Sequence, residues 1–350
     1  MQNFLKQFGG KITEELTQQY MLSENWKNGS FQNLEETALA ANLRDIPRML
    51  YKQFSNNKER TPKVKLPVAS FQKETFLSPS DTSKFIWYGH SVILMRMENR
   101  TILIDPMFGP DTTPIAPMTT HRFSENTINI IDQLPEIDLI LLTHDHYDHL
   151  DYQSIQKLKH KAKKYFVALG VKRHLEAWGI SPNLITEFDW WQDYILDNIK
   201  ITFTPTRHFS GRGLTDRLKS LWGGWVFQST QENIWFSGDS GYGKHFEKIG
   251  KKFNGFDFAF MECGQYNQDW HDLHMFPEES VQAAIDAKVI KAMPVHWGGF
   301  ALSYQHTWSE PPTQFIQFAE EKQLDYSVPR IGEIFDVATI RQKLWWEDLL

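Results

Sequence analysis

Short apolar runs alternate with amphipathic segments from about residue 85 to about residue 325. The first two runs, 85–97 and 101–105, flank a polar turn at 98–100 and predict a hairpin. The run 138–143 is almost entirely apolar, as in a strand that is buried on both faces. Similar patterns predict strands at 165–169, 199–205, 222–229, 233–237, 257–262 and 291–295, and helices at 152–163, 171–178, 245–252, 277–287 and 312–322. Strands that alternate with helices predict an α/β fold in which helices cover the sheet faces.

The first 80 residues show a different pattern. Segments 34–43 and 46–54 have the spacing of short helices, and the polar, proline-broken stretch 55–67 predicts a linker or an exposed arm. We therefore expect an N-terminal extension, residues 1–80, packed on a main domain, residues 81–350.

Composition narrows the class of protein. The chain has 350 residues, 41% of them hydrophobic, and a net charge of −6, which is typical of a globular protein and gives no support for nucleic-acid binding. Its single cysteine, Cys263, excludes an intrachain disulfide and a cysteine-based metal cluster. The N-terminal residues lack the apolar core of a signal peptide, and no run reaches the roughly 18 apolar residues of a spanning helix. We expect a soluble, cytoplasmic protein.

The strongest chemical signal is THDHYDHLD at 143–151, directly after the predicted strand 138–143. His144 and His146 are two residues apart, so on an extended backbone their side chains leave the same face. Asp148 and His149 follow as the chain turns and are placed to serve a second point nearby. Three imidazoles and a carboxylate within six residues indicate a metal site, because these are the ligands that zinc and its neighbours prefer.

Three more candidate ligands follow predicted strands in the same way. His208 comes after a strand at 201–206, Asp239 lies in FSGDSGY after the next apolar run, and His296 lies in MPVHWGG. Loops past the carboxyl ends of strands form the crevice of an open α/β sheet, so these side chains are expected to meet. Seven ligands divide into three histidines for one ion, an aspartate and two histidines for another, and a bridging carboxylate.

Several motifs together resemble those of a known family. They are GHS (89–91), DP (105–106), HYDHLDY (146–152), DWW (189–191), WGGW (222–225), GDSGY (238–242), PEESV (277–281) and HWGGFAL (296–302). With the HxHxDH element, this set resembles the metallo-β-lactamase superfamily of αββα sandwich hydrolases. Within it, the chain is similar to the branch of N-acylphosphatidylethanolamine-hydrolysing phospholipase D and its bacterial relatives, over roughly 85–325.

The resemblance implies a role for each matching residue. It implies two divalent metal ions, with zinc as the default and manganese or iron as alternatives. Asp239 would bridge the ions, Asp105 would support a ligand histidine, and His274 would be an active-site histidine, with His271 as its rival. The implied ligands are His144, His146 and His208 for the first ion and Asp148, His149 and His296 for the second. The segment 110–123 has no residue-by-residue match in the lipid-cleaving members.

The charge of such a centre favours one reaction. Two divalent cations set against Asp148, Asp239 and a bridging hydroxide leave about one positive charge, which suits a singly charged phosphodiester. Metal-bound water ionises near neutral pH, so the hydroxide is the expected nucleophile, with Asp148, Asp239 and His274 as the catalytic side chains. The alternatives are a metal-dependent lactonase or other ester or amide hydrolase, and a non-catalytic metal-binding module. The oligomeric state is not predicted.

Aromatic and basic residues point to an amphipathic, phospholipid-like substrate. Six tryptophans lie near the site motifs, and at least half are expected in the core, with the rest meeting acyl chains or a bilayer interface: Trp190, Trp191, Trp222, Trp225, Trp270 and Trp297. Lys63–Lys65 in the N-terminal arm offers weak docking to lipid head groups at the inner face of a membrane.

Other polar residues carry weaker signals. SGRG at 210–213 is a candidate phosphate cradle, and Arg207 and Arg212 are candidate phosphate ligands, with a solvated loop as the alternative. His90, His121 and His306 are expected to be neighbours of ligands or ordinary residues. His160, His174 and His245 are expected on exposed helix faces.

Overall fold

Two seven-stranded sheets dominate the computed structural model, which describes residues 5–39, 47–48, 51–52, 59–112, 120–213, 215–339 and 344–350. The first sheet has the order β16-β3-β4-β5-β6-β7-β8. Its strands are β3 (Lys84–Trp87), β4 (Ile93–Met97), β5 (Arg100–Ile104), β6 (Leu139–Leu142), β7 (Tyr165–Ala168), β8 (Ile185–Phe188) and β16 (Ile334–Asp336). The strands from β5 to β8 run parallel, so their carboxyl ends share one edge of the sheet.

The second sheet has the order β15-β14-β13-β12-β11-β10-β9. Its strands are β9 (Asp193–Leu196), β10 (Ile199–Thr204), β11 (Gly224–Gln228), β12 (Asn233–Phe236), β13 (Phe256–Glu262), β14 (Val289–Val295) and β15 (Asp325–Tyr326). The strands from β12 to β15 are parallel, and those from β9 to β12 are antiparallel. A separate two-stranded hairpin near the N-terminus consists of β1 (Trp26–Lys27) and β2 (Ser30–Phe31).

Helices flank the two sheets. They are α1 (Glu14–Tyr20), α2 (Lys73–Leu77), α3 (Ile130–Gln133), α4 (Tyr152–Leu158), α5 (Lys172–Ala177), α6 (His245–Phe253), α7 (Pro277–Asp286) and α8 (Glu310–Glu321). Short 3-10 turns lie at Thr127–Asn129, Pro182–Leu184, Gln268–Trp270 and Glu347–Leu349. Helix α7 packs on β13 and β14, and α5 packs on β8. No helix in the described ranges is long and apolar enough to cross a membrane.

Aromatic side chains join the inner faces of the sheets. Phe85 of the first sheet stacks on Phe258 of the second, with ring centroids 5.5 Å apart, and meets Phe260 edge-on at 5.3 Å. All three are buried. Because each sheet buries one face on the other and the opposite face under helices, the layers form the predicted αββα sandwich.

The predicted elements of the main domain recur with shifted ends. The 98–100 turn joins β4 to β5, and positive φ angles at Glu98 and Asn99 give it the tight hairpin form. The run 85–97 is divided into two strands, β3 and β4, by the segment around His90. The predicted helix 152–163 ends at Leu158. Among the described residues after 80, four strands were not predicted, namely β8, β9, β15 and β16, and the hairpin of β1 and β2 was not predicted either.

The N-terminal predictions fare less well. Residues 34–39 are not helical, so the helix predicted at 34–43 is wrong over that range, and 40–43 lie outside the described residues. Of the helix predicted at 46–54, residues 47–48 and 51–52 are helical and the others lie outside the description. The described part of the 55–67 arm, 59–67, is irregular, as expected. The central part of the unmatched segment 110–123, residues 113–119, also lies outside.

Candidate metal centre

The loop that follows β6 carries four of the predicted ligands. Asp105, at the end of neighbouring β5, accepts hydrogen bonds from the Thr143 backbone amide at 2.8 Å and from the Thr143 hydroxyl at 2.6 Å. At the other end of the loop, Asp151 caps α4 by accepting from the Gln153 and Ser154 amides. The loop is therefore fixed at both ends, and its histidines are presented beyond the sheet edge.

Three histidines form a first group. His144 Nε2 lies 2.9 Å from His146 Nδ1, and His208 Nε2 lies 3.2 Å from the same atom. His144 and His208 are buried, and His146 is partly exposed. His208 comes from the loop after β10, so the two sheets contribute to one cluster.

Asp148, His149 and His296 form a second group. Asp148 Oδ2 lies 3.5 Å from His149 Nε2 and 3.3 Å from His296 Nε2. His296 follows β14 in the second sheet and has a positive φ of 68°, which is rare for a histidine. Such strained backbone is typical of functional sites.

Asp239 lies between the two groups. Its Oδ2 atom is 3.0 Å from His149 Nε2 and 3.1 Å from His296 Nε2. The same atom is 3.9 Å from both His144 Nε2 and His208 Nε2. The seven residues predicted from the sequence thus converge, and a single carboxylate oxygen faces both groups.

The hydrogen bonds behind the histidines leave lone pairs in front. Thr143 gives its hydroxyl hydrogen to Asp105, so at 2.9 Å it must accept from His144 Nδ1. His208 Nδ1 donates to the Leu273 carbonyl at 3.1 Å, and His149 Nδ1 donates to Asp105 at 2.8 Å. The rings of His144 and His208 are neutral, so their Nε2 atoms carry lone pairs that point into the cluster, and Nε2 of His149 also faces it.

The Nε2 atoms that face the cluster lack enough hydrogen-bond donors within it. His144 Nε2 and His208 Nε2 both face His146 Nδ1, which holds at most one hydrogen. His149 Nε2 is buried and makes no hydrogen bond within the described part of the chain. Buried polar atoms without partners are costly, and a divalent cation satisfies several at once. The donor set therefore fits a divalent metal.

The two groups differ in their protonation. Burial lowers the pKa of His144 and of His208 well below the usual value. Burial acts in the same direction on His149 and His296, but carboxylates led by Asp239 outweigh it and hold both pKa values well above the usual one. Neighbouring histidines in turn outweigh burial and keep the pKa of Asp239 well below its ordinary range.

His90 supports the second group from behind. It has a positive φ of 55°, its amide donates to the Trp297 carbonyl at 2.7 Å, and its carbonyl accepts from the His296 amide at 3.0 Å. Burial lowers the pKa of His90 to about 3, so the neutral ring donates from Nε2 to Asp148 at 2.9 Å. The sequence left open whether His90 is a neighbour of ligands or an ordinary residue. The structure places it beside the predicted ligands Asp148 and His296.

His274 lies at the edge of the cluster, whereas His271, the alternative candidate, does not. The His274 ring is parallel to the His296 ring within 7°, with centroids 5.2 Å apart, and lies 5.0 Å from the His208 ring. One of its ring nitrogens also lies within 4.8 Å of side-chain atoms of His208 and Asp239. His271 is 45% exposed and pairs with Glu279 at 2.7 Å instead.

Glu262 is a site residue that the sequence analysis missed. This carboxylate ends β13, is 1% exposed, and lies 2.8 Å from His274 Nδ1 and 3.4 Å from His296 Nδ1. Its other oxygen accepts from the Met275 amide at 3.1 Å. Asp105 and Glu262 are two buried carboxylates that the charge count from the sequence left out, so that count overstated the positive charge of the centre.

The similarity of the chain to known proteins agrees with the geometry of the cluster. A family model described as "Beta-lactamase superfamily domain" matches residues 100–297, more than half of the chain. The chain belongs to the metallo-β-lactamase superfamily. The matched range includes the metal loop, His208, Asp239 and His296, so it covers both donor groups. This family member is a hydrolase whose described residues include a cluster that can hold metal.

Three relatives of this superfamily member are informative. An uncharacterized protein of Mycobacterium tuberculosis is 32% identical over 93% of this chain and 87% of its own length. N-acyl-phosphatidylethanolamine-hydrolyzing phospholipase D 1 of Caenorhabditis elegans is 27% identical over 78% of this chain and 81% of its own. The structure of Igni18, a metallo hydrolase from Ignicoccus hospitalis, matches 73% of this chain and 98% of its own with a TM-score of 0.57 and 19% identity, which supports the fold.

A buried network holds the back of the metal loop. Asp145, between His144 and His146, accepts from the Ser220 hydroxyl at 2.6 Å and from the Gly211 amide at 2.7 Å. Arg212 donates to the Asp145 and Leu150 carbonyls at 2.7 and 2.8 Å, which ties the two ends of the loop together. The network orients the loop from below without entering the cluster.

This network overturns the phosphate predictions. Arg212 is 4% exposed and its donors reach backbone carbonyls, so it is neither a phosphate ligand nor solvated. Arg207 donates to the Glu36 and Tyr242 carbonyls. In the proposed cradle at 210–213, the Gly211 and Gly213 amides already donate to Asp145 and Asp216.

Two of the histidines expected on exposed helix faces are buried. His174 of α5 is fully buried, and His245 of α6 is 3% exposed, whereas His160 is exposed as predicted. His174 accepts from the Gly10 amide at 3.1 Å, because the N-terminal segment packs over α5. His245 Nε2 lies 3.0 Å from the Ser240 hydroxyl, next to Asp239.

Most of the site tryptophans belong to the core. Four of the six are at most 5% exposed: Trp190, Trp222, Trp225 and Trp297. Trp191 and Trp270 are half-buried. The expectation that at least half would be core residues is confirmed.

Proposed function

We propose that this superfamily member is a dinuclear metal-dependent phosphodiesterase of phospholipase D type that acts on N-acylphosphatidylethanolamine-like lipids. The observation that carries the dinuclear part is the position of Asp239 Oδ2 between two separate donor groups. The similarity to the Caenorhabditis elegans phospholipase D supports the lipid part.

The residues that would hold the ions are the two donor groups described above. The first group would hold one ion, the second group the other, and Asp239 would contact both. Bound divalent cations, with zinc as the proposed metal, would acidify water and neutralise phosphoryl charge. The outer partners Asp105 and Glu262 would keep the ring nitrogens of His149 and His296 aimed at the ions.

His274 is placed to serve the leaving group. In phospholipase D chemistry, a water oxygen bonds to phosphorus while the bond from phosphorus to the head-group oxygen breaks, and that oxygen must gain a proton. His274 is 14% exposed at the edge of the cluster, and Glu262 orients its ring through the bond to Nδ1. Its other nitrogen is free to donate to the departing alcohol oxygen as a general acid.

The exposed N-terminal arm supports contact with a lipid surface. Lys63, Val64 and Lys65 are all exposed, and Val64 is 52% exposed next to buried Leu66. Two cations beside an exposed apolar side chain suit an anionic bilayer surface. We propose a cytoplasmic protein that visits the inner face of a membrane. Cell fractionation and vesicle sedimentation of wild type and a Lys63→Glu/Lys65→Glu variant test this.

The reaction is tested with zinc-reconstituted protein, N-acylphosphatidylethanolamine vesicles and ¹⁸O-labelled water, with products identified by mass. Phospholipase D chemistry puts the label in phosphatidic acid and releases an unlabelled N-acylethanolamine. Label in a free fatty acid would show attack on an acyl carbonyl and support the ester or amide hydrolase alternative.

Two controls complete this experiment. Bis-p-nitrophenyl phosphate and a panel of lactones, assayed side by side, separate phosphodiester from lactone hydrolysis. Turnover of lactones alone would overturn the phosphodiesterase proposal. If no substrate is turned over although two zinc ions are bound, the lipid assignment fails while the metal centre stands.

A further inference from the structure

An N-terminal segment packs against the loop that carries His208. Residues 31–38, here called the strap, begin at the last residue of β2 and lie outside the range 100–297 that the family model matches. The strap is pinned at its start, where the Phe31 amide donates to the Leu218 carbonyl at 2.9 Å. It is pinned at its end, where the Ala38 amide donates to Asp272 at 2.8 Å.

Arg207, the residue before His208, also binds the strap. Its Nε donates to the Thr37 hydroxyl at 3.1 Å, and one of its terminal nitrogens donates to the Glu36 carbonyl at 2.7 Å. Glu35 accepts from the Lys244 amide at 2.7 Å, close to the loop that carries Asp239. The strap therefore connects the loops of two proposed ligands.

Asn33 makes the most specific of these contacts. Its Nδ2 donates to the His208 carbonyl at 2.8 Å, and its Oδ1 accepts from the His208 amide at 3.1 Å. A side-chain amide thus pairs with both backbone groups of one residue, as a neighbouring strand would. Oδ1 also accepts from Nε1 of the buried Trp222 at 3.0 Å, which fixes the orientation of the amide.

This pairing is important because His208 lies beyond the end of strand β10. Strand β10 ends at Thr204, so the backbone groups of His208 have no partner in the sheet. Its ring is held at Nδ1 by the Leu273 carbonyl, which sets the ring angle. The backbone position from which the ring projects is set by Asn33.

We propose that Asn33 is a positioning residue of the metal centre, through which the N-terminal strap holds His208 as a ligand. This inference rests on the proposed metal site and extends it beyond the superfamily domain. Loss of such an outer partner typically weakens metal binding by about 10–100-fold.

The test measures zinc affinity rather than turnover. Full-length wild type, Asn33→Ala and Asn33→Asp are titrated with Zn²⁺ against a chromophoric chelator. Asn33→Ala removes both contacts with His208, so we expect one of two zinc sites to weaken by about 10–100-fold. Asn33→Asp keeps the acceptor for the His208 amide but sets a carboxylate against its carbonyl, so it should also weaken that site.

The matched control is Gln32→Ala in the same strap. The Gln32 side chain donates its hydrogen bonds to Ser30 and Lys27 and none to His208, so this variant should bind zinc as the wild type does. Hydrogen exchange of the metal-free proteins adds a second readout. Backbone amides around His208 should exchange faster in Asn33→Ala and not in Gln32→Ala.

The outcomes separate this inference from the proposed function. If wild type binds two zinc ions and Asn33→Ala binds both with unchanged affinity, the strap has no positioning role although the metal centre stands. If Gln32→Ala weakens zinc binding equally, the effect belongs to the fold of the strap and the assignment to Asn33 is wrong. If wild type binds no zinc, the proposed function itself fails.

Discussion

The two donor groups differ in what stands behind their histidines. In the first group, His144 and His208 donate to neutral oxygens, the Thr143 hydroxyl and the Leu273 carbonyl. In the second group, His149 is backed by the Asp105 carboxylate, and His296 lies 3.4 Å from Glu262. The histidines of the first group are thus backed by neutral oxygens, and those of the second group by buried carboxylates.

This difference suggests different sensitivities. A carboxylate behind a ligand histidine makes the imidazole a stronger donor, while a neutral oxygen mainly sets its orientation. Substitutions behind the second group should therefore reduce metal affinity more than substitutions behind the first. Asp239 belongs to both groups and should matter most.

Replacing Asp239 with Asn should have the largest effect. The neutral amide removes the oxygen that faces both groups, so we expect one metal ion fewer per chain and a loss of turnover of more than about 100-fold. Metal analysis and turnover of the same sample check this. Asp193→Asn, an exposed aspartate on β9, is the matched control. Full activity with one bound ion would contradict the dinuclear account.

His274→Gln should reduce turnover without affecting metal content. Loss of a general acid typically costs about 10²–10⁴-fold. The loss should be large for the lipid, whose alkoxide leaving group needs a proton, and small for bis-p-nitrophenyl phosphate, whose leaving group does not. Turnover of the two substrates is compared at equal metal occupancy. An equal loss on both substrates would rule out the general-acid role.

The comparison between the groups is sharpened by Asp105→Asn and Thr143→Val. Asp105→Asn removes the charge behind His149, and we expect zinc affinity to fall by about 10–100-fold. Thr143→Val removes the neutral partner of His144, and we expect a smaller loss. Chelator competition measures both, with thermal unfolding of the metal-free proteins as a check on folding. A larger loss for Thr143→Val would reverse the proposed difference.

The last prediction concerns acid stability and does not involve the metal. Burial lowers the pKa of His245 to about 3, below its unfolded value of about 6.5. Its contribution to stability is therefore complete above about pH 6.5 and is lost as the pH falls towards 3. His245→Gln should flatten the fall in unfolding free energy by up to about 1.4 kcal/mol per pH unit in that window. Urea unfolding at several pH values measures this, and an unchanged slope would contradict it.

The seven residues predicted from the sequence lie together in the structure because strand ends leave a recognisable pattern in the sequence. Each distant ligand follows an apolar run, as His208 follows β10 and Asp239 follows β12. Glu262 obeys the same rule at the end of β13, between the strands that lead to Asp239 and His296, so a search of all strand ends would have found it.

Other features depend on long-range packing that no local pattern records. Asn33 lies in an irregular segment and meets His208 only in the folded chain. His174 has helical spacing typical of a surface, but the N-terminal segment around Gly10 covers it. The strands β8 and β9 were missed because each has only four residues and no continuous apolar run of that length, and Ile195 of β9 is exposed.

Anomalous diffraction from crystals of the zinc-reconstituted wild type tests the central claim most directly. The account predicts two zinc peaks, one among His144, His146 and His208, the other among Asp148, His149 and His296, with Asp239 in contact with both. A single peak, or peaks away from these side chains, would contradict it.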